Sequence, residues 1–133
     1  MARLNIKIEF ENGSALGPGK VRLLELICEK GSIRAAAIAM DMSYRRAWLL
    51  LHDVEGMMGA PVLAAETGGH KGGGTQLTDT GLEVIRQYRR IEAQAAQSLK
   101  SELSALSRMA RTKSSRRLQA KAKHRSLGAK ART

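Results

Sequence analysis

The chain is poor in the residues that cross-link proteins or hold metal ions. It has one cysteine, Cys28, two prolines and four aromatic residues among 133 positions. A single cysteine excludes an intrachain disulfide, and no set of cysteine and histidine residues has the spacing of a zinc site. Because aromatic residues are so few, alanine, leucine, isoleucine and methionine must fill the core, and such side chains favour close contacts between helices.

Long apolar runs and catalytic clusters are also missing from the sequence. No apolar stretch approaches the roughly 18 residues of a membrane-spanning helix, and residues 4–10 do not have the character of a signal peptide. We find no serine–histidine–aspartate set, paired carboxylates or metal cluster, so we expect neither enzymatic activity, nor a cofactor, nor a bound metal. These features predict a cytoplasmic, nucleoid-associated protein in a reducing compartment.

Acidic residues are absent from the last 24 positions, and this absence explains most of the net charge of +11. Nine of the 23 lysine and arginine residues lie in residues 110–133, which leaves 14 basic against 12 acidic residues in the rest of the chain. We predict that this basic tail is disordered, because it has few large apolar residues to bury. A tail of this kind binds polyanions without sequence preference, so specific recognition must come from the local placement of basic groups elsewhere.

The periodicity of apolar residues predicts a mainly α-helical fold with a small β wing. In chain order we predict a strand at residues 4–10, helices at residues 20–30, 32–40 and 43–58, and short strands at residues 62–67 and 75–78. Gly31 is expected to end the first helix, while Ser32 and Ser43 are expected to cap the next two. The spacing also places Cys28 and Trp48 on inner faces, so both side chains are expected in the core.

Residues 80–109 contain no proline and, after Gly81, no glycine, which predicts one long helix. A helix of about 30 residues is about 45 Å long, more than a domain of this size covers. Its apolar residues recur every three or four positions, so we expect the exposed seam to pair with a second copy of the chain. The predicted domains are a winged helix-turn-helix at residues 1–79, a dimerisation helix at 80–109 and the basic tail.

The strongest functional signal lies in residues 31–81, where a short helix, a tight turn and a second helix are followed by a glycine-rich loop. Recognition helices carry their base-contacting side chains near the N-terminus. Arginine bridges O6 and N7 of guanine, while serine and tyrosine hydroxyls suit phosphates or bases. We therefore predict DNA binding by Ser32, Arg34, Ser43, Tyr44, Arg45, Arg46, His70, Lys71, Gly72 and Gly73.

The loop at residues 68–74 has five glycines around His70 and Lys71. Glycines let the backbone approach a phosphate closely, and the two basic side chains would supply charge at the tip. A nucleotide-binding P-loop requires Gly-Lys-Ser/Thr at the start of a helix, whereas Lys71 precedes Gly72 and a strand. Two plainer alternatives remain open: the loop is a connection without a ligand, and Arg45 and Arg46 form a solvated helix face.

Five segments of the chain together resemble the N-terminal DNA-binding domain of ModE-type molybdate-responsive regulators. They are Gly31-Ser32-Ile33, Ser43-Tyr44-Arg45-Arg46-Ala47-Trp48, Thr67-Gly68-Gly69-His70-Lys71-Gly72-Gly73-Gly74, Leu77-Thr78 and Gly81. The spacing of Leu77-Thr78 and Gly81 is also similar to that of LysR-type winged helices. The resemblance implies a bacterial or archaeal transcription regulator that binds operators as a dimer. We expect no C-terminal molybdate-binding domains in this chain, so molybdate sensing is not carried over.

Three functions follow from these features. The leading hypothesis is a homodimeric, sequence-specific transcription regulator whose partner is double-stranded DNA, with a separate effector partner left open. The alternative is an architectural, nucleoid-associated protein whose basic tail dominates DNA binding. A sensor of small oxyanions that uses the glycine loop or the dimer interface is the third. Deletion of residues 111–133 separates the first two, because only the architectural protein should lose most of its affinity.

Overall fold

A computed structural model of the chain describes residues 2–66 and 74–110. The helices are α1 (Pro18–Lys30), α2 (Ile33–Ala39), α3 (Tyr44–Met58), α4 (Asp79–Ser98) and α5 (Lys100–Met109), and the strands are β1 (Ile8–Glu9), β2 (Ala15–Leu16), β3 (Leu63–Glu66) and β4 (Gly74–Leu77). Residues 5–94 form one compact unit, and the described residues of a second are 2–4 and 95–110. No described helix has the length and apolar character needed to cross a bilayer.

The predicted N-terminal strand is reduced to β1, which pairs antiparallel with β2. The register places Ile8 opposite Leu16. The intervening turn closes through the Phe10 N–H, which donates to the Ser14 carbonyl at 2.8 Å, and it requires the left-handed backbone of Gly13, with φ of 88°. The sequence did not predict β2, because a two-residue strand is too short to show an alternating pattern.

The core of the larger unit lies where α1, α2 and α3 pack against one another and against α4. Its fully or nearly buried side chains include Val21, Leu24, Ile27, Ala36, Ala37, Ala47, Leu51, Val54, Val84 and Tyr88. Ala36 and Ala37 on α2 and Ala47 on α3 are buried in this core, and such small side chains suit close packing of helices. The helix-turn-helix is therefore held mainly by aliphatic packing.

The helix boundaries predicted from capping residues are confirmed. Gly31 ends α1 with φ of 75°, and its N–H donates to the Ile27 carbonyl at 2.8 Å. The Ser32 Oγ accepts the Ala35 N–H at 3.0 Å, and the Ser43 Oγ accepts the Arg46 N–H at 3.0 Å. Each serine satisfies a backbone donor that the first turn of its helix leaves free.

Two side chains expected in the core are exposed, and those predictions are wrong. Cys28 is exposed on α1, and Trp48 keeps 44% of its surface accessible. The buried stripe of α3 runs through Ala47, Leu51 and Val54. Since successive helical residues are rotated by about 100°, Trp48 lies at the margin of that stripe rather than on it.

Strands β3 and β4 form the predicted β wing and lead into α4. They pair antiparallel, with Leu63 opposite Leu77. The Thr78 Oγ1 donates to the Pro61 carbonyl at 2.7 Å and accepts the Gly81 N–H at 3.2 Å. A Cβ atom at Gly81 would lie 2.5 Å from the Val62 carbonyl oxygen. Thr78 and Gly81 thus hold the start of α4 close to the backbone of Pro61 and Val62.

Polar contacts connect the first half of α4 to other residues of the larger unit. The Tyr88 hydroxyl donates to the Ile6 carbonyl at 2.6 Å, and burial raises the pKa of Tyr88. The Arg89 guanidinium donates to both carboxylate oxygens of Glu25 on α1, at 3.1 and 2.8 Å. The Arg89 hydrogen bonds lower the pKa of Glu25, because they favour its charged form.

The helix predicted at residues 80–109 is observed as α4 and α5 with Leu99 between them. The Leu99 N–H still donates to the Ala95 carbonyl, and the Leu103 N–H to the Leu99 carbonyl, both at 2.9 Å. Tyr88, one of the residues that recur every three or four positions along residues 80–109, is in the core and not on an exposed seam. The predicted domain boundaries at residues 79 and 109 stay predictions.

Candidate nucleic-acid interface

The N-terminal half of α3 presents a basic surface to solvent. Ser43 caps the helix, and Tyr44, Arg45 and Arg46 of the first turn are all exposed. No acidic residue lies in this turn. The positive end of the helix dipole therefore adds to the two guanidinium charges instead of being neutralised by a carboxylate.

The three arginines predicted to bind DNA have no ion-pair partner among the side chains that the structure describes. Among the described side chains, those of residues 2–65 and 74–110, no carboxylate oxygen lies within 4.0 Å of the guanidinium nitrogens of Arg34, Arg45 or Arg46. All three side chains are exposed. They can meet an anionic partner without first breaking an internal salt bridge in the part of the chain that is described.

Arg34 on α2 is joined to α3 through two aromatic rings. Its Cζ atom lies 5.7 Å from the centroid of the Tyr44 ring, a cation–π distance. The Tyr44 and Trp48 rings are 6.4 Å apart at an interplanar angle of 80°, an edge-to-face arrangement. The structure thus brings together Arg34 and Tyr44, which the sequence predicted as site residues, and adds Trp48, which it did not.

Trp48 follows Tyr44 by four residues, and this spacing is the signal that could have identified it. Residues at i and i+4 are neighbours on a helix surface. If Tyr44 is exposed as a site residue, then Trp48 lies beside it. The prediction of a buried Trp48 rested on hydrophobicity, which does not separate the centre of a stripe from its margin.

Ser32 and Ser43 lie at the N-termini of the two helices of the motif. Each Oγ already accepts a backbone N–H. A hydroxyl also has one proton to donate, so either serine can cap its helix and still donate to a phosphate oxygen. The same two residues therefore serve the fold and are suited to an anionic ligand.

The wing is attached to the helix-turn-helix at the junction of α1 and α2. The Thr75 N–H of β4 donates to the carbonyl of Gly31 at 2.9 Å, immediately before the cap residue Ser32. Glu66 pairs with Gly74 and is the last residue of β3 before the connecting residues 67–73. The candidates His70, Lys71, Gly72 and Gly73 belong to residues 67–73, outside the described part of the chain.

Curated relatives of the chain carry names of molybdenum-related proteins. It is 35% identical to the molybdenum transport protein ModE of Azotobacter vinelandii over 99 residues, which are 74% of this chain and 36% of that protein. It is 40% identical to the molybdenum-pterin-binding protein MopB of Rhodobacter capsulatus over 89 residues, 67% and 33% of the two chains. The transcriptional regulator ModE of Haemophilus influenzae is 34% identical over 87 residues, 65% of this chain and 34% of the relative.

The chain is similar to these proteins named ModE over 74% and 65% of its own length. It spans about a third of the length of these curated relatives. A scan against protein-family models gave no match.

The chain also matches a solved structure described as a complex of CbnR_DBD with DNA. The TM-score is 0.51 at 23% identity, and the match covers 66% of this chain and 95% of that one. The predicted winged helix-turn-helix fold is confirmed.

Proposed function

We propose that the chain is a sequence-specific, DNA-binding transcription regulator whose helix α3 enters the major groove. The observation that carries this proposal is the exposed N-terminal half of α3, where Arg45 and Arg46 lack a carboxylate partner among the described residues. The DNA-bound CbnR_DBD structure and the relatives named as regulators support it. A recognition helix of this kind contacts base edges through its first turns.

The two adjacent arginines have different proposed roles. The buried residues Ala47, Leu51 and Val54 mark the inner side of α3. With about 100° between successive residues, Arg45 points almost directly away from that side, whereas Arg46 is turned to its flank. We assign Arg45 to a guanine edge and Arg46 to a phosphate, because the deepest part of the groove faces the outermost position.

A phosphate-binding role is proposed for the residues around the start of α2. Ser32 offers a hydroxyl proton, and Arg34 is held against the Tyr44 ring. His70 and Lys71, with Gly72 and Gly73, are proposed to contact the backbone or minor groove next to the bound site. The hydrogen bond from Thr75 to Gly31 supports this assignment, since it ties the base of the wing to the helix-turn-helix.

A homodimer is proposed to align two copies of α3 with successive major grooves. In the larger unit, Leu82 and Ile91 of α4 are 47% and 41% exposed, and in the smaller unit Leu106 and Met109 are 59% and 60% exposed. Ile91 also lines an apolar groove of about 610 Å³ beside β1 and β2. Unpaired apolar side chains at helical spacing favour association with another helix, and a second copy is the simplest occupant.

Selection of bound DNA from a random duplex pool tests the proposal. With the full chain, we expect enrichment of an inverted repeat whose half-sites lie about one helical turn apart. A protein lacking residues 111–133 should select the same motif with uniformly lower affinity. If no motif is enriched, or if binding depends on the tail alone, the architectural alternative replaces the regulator.

Sedimentation of point variants tests the dimer. Leu106→Glu should shift the protein toward the monomer, because it places a charge on the proposed apolar interface. Ile38→Glu is the matched control, since Ile38 is 72% exposed on α2 and lies outside that interface. An unchanged sedimentation coefficient for Leu106→Glu would remove α5 from the dimer proposal.

A further inference from the structure

Helix α3 exposes large apolar side chains on the surface that also carries its unpaired arginines. Trp48 is 44% exposed and Leu49 is 57% exposed. The outer face of an amphipathic helix is normally polar. Single exposed apolar residues need no explanation, but two neighbours on a proposed recognition surface suggest an apolar target.

Arg45 precedes these two residues by one helical turn. Positions three and four residues apart are neighbours on a helix surface, so Trp48 and Leu49 both adjoin Arg45. Arg45 therefore has an apolar side chain at each of its two neighbouring positions in the next helical turn, Trp48 and Leu49.

The Trp48 ring has a defined orientation. It meets Tyr44 edge-to-face, and Tyr44 is in turn covered by the Arg34 guanidinium. Such pairs limit the rotamers of an exposed ring and so reduce the entropy lost on binding. A ring with a defined orientation is suited to contact one specific group of a partner molecule.

Thymine is the base that offers an apolar group in the major groove, its C5 methyl, and apolar side chains contact it there. We propose that Trp48 and Leu49 read thymine methyl groups beside a guanine bound by Arg45. This inference rests on the proposed function, which places α3 in the major groove. It assigns an A·T preference to positions that the arginines do not specify.

Deoxyuridine substitution in the selected operator tests the inference with the full chain. Replacing thymine by deoxyuridine removes the C5 methyl and leaves every hydrogen-bonding group of the base in place. We expect wild-type affinity to fall about fourfold at one or more positions in each half-site, the effect of one buried methyl group. The fall should disappear in Trp48→Ala or Leu49→Ala at the position that each side chain reads.

Ile38→Ala is the matched control, because Ile38 is an exposed aliphatic residue on α2 rather than α3. It should keep the full sensitivity to deoxyuridine. If an alanine variant binds too weakly for measurement, Trp48→Phe and Leu49→Val at lower salt give smaller changes at the same positions. Leu49→Ala should leave the melting temperature unchanged, since Leu49 is 57% exposed, whereas Trp48→Ala should lower it slightly because it removes the edge-to-face contact with Tyr44.

Two results would overturn the inference while the proposed function stands. One is a wild-type protein that binds its selected operator with no sensitivity to deoxyuridine at any position. The other is sensitivity that persists unchanged in both the Trp48 and the Leu49 variants. If the pool yields no operator, the proposed function and this inference fail together.

Discussion

Helices α3 and α4 both carry arginines, but the surroundings of most of those arginines differ. On α4, the exposed Arg86 lies 2.6 Å from Glu83, and the half-buried Arg89 lies 2.8 Å from Glu25 and 2.7 Å from Glu92. Of the three arginines on α4, only Arg90 has no described carboxylate within 4.0 Å. On α3, no described carboxylate lies within 4.0 Å of Arg45 or Arg46. A carboxylate that is paired with an arginine offsets its charge, so that arginine attracts a phosphate less strongly than an unpaired one does. Whether an arginine is paired with a carboxylate is therefore a better guide to a candidate binding surface than the number of arginines on that surface.

The largest expected effect is on operator affinity, and it is tested by comparing one arginine of α3 with one of α4. Arg45→Ala should weaken operator binding about 5- to 150-fold, or about 1–3 kcal/mol, the range for a bidentate contact to guanine. Arg86→Ala removes the same charge from α4 and should leave operator affinity unchanged, because its guanidinium is paired with Glu83. Fluorescence anisotropy with operator and random duplexes measures both. Equal losses for the two variants would mean that total charge, rather than pairing, governs binding.

The second prediction compares one glycine from each helix. Gly81→Ala should destabilise the fold by about 1–3 kcal/mol, since the new methyl would meet the Val62 carbonyl at 2.5 Å. A methyl group added at Gly56 on α3 would meet no atom within 4 Å beyond the backbone of its own helix, so Gly56→Ala should stabilise the protein by up to about 1 kcal/mol. Urea denaturation measures both changes. A neutral Gly81→Ala would show that the start of α4 can shift away from Val62.

The third prediction concerns the bridge between α1 and α4. Arg89→Ala should reduce the free energy of unfolding by about 1 kcal/mol, because the contacts to Glu25 are charge-assisted but partly open to solvent. Its operator affinity should not change. Arg22→Ala is a control, since Arg22 approaches Glu25 only to 3.7 Å and is more exposed. A loss of DNA affinity without a loss of stability would place Arg89 on the binding surface instead.

The smallest effect is a pH dependence of the same bridge. The Arg89 hydrogen bonds hold the pKa of Glu25 below its ordinary value of 4.5. A lowered folded-state pKa adds stability above pH 4.5 that is lost as the pH falls through the folded value. The stability of the wild type should therefore decline more steeply below about pH 4.5 than that of Arg89→Ala. Parallel curves from acid titrations of the two proteins would contradict this assignment.

Local signals in the sequence predicted most of the helical framework correctly. Ser32, Ser43 and Gly31 set helix ends through contacts within a few residues, so their identity was sufficient. The predictions for Cys28 and Trp48 failed because burial depends on where neighbouring elements lie. A spacing pattern identifies a helical face, but it does not say how wide the covering surface is.

In the candidate site, too, some features could be predicted from the sequence and others could not. Residue type and spacing identified Arg34, Tyr44, Arg45 and Arg46, since a basic turn after a capped helix start is visible in the sequence. Their lack of carboxylate partners in the described part of the chain, and the stacking of Arg34 on Tyr44, could not be predicted. Both depend on distances between elements that are far apart along the chain.

The sequence by itself determined the helix caps, the aliphatic core composition, the basic start of α3 and the position of the glycine-rich loop. These features follow from backbone hydrogen bonding and side-chain chemistry over a few residues. Tertiary structure alone decided that Tyr88 and Arg89 fasten α4, that Val62 leaves no room at Gly81, and that Trp48 faces solvent. Burial and charge pairing are properties of neighbours in space, and only the packed chain defines those neighbours.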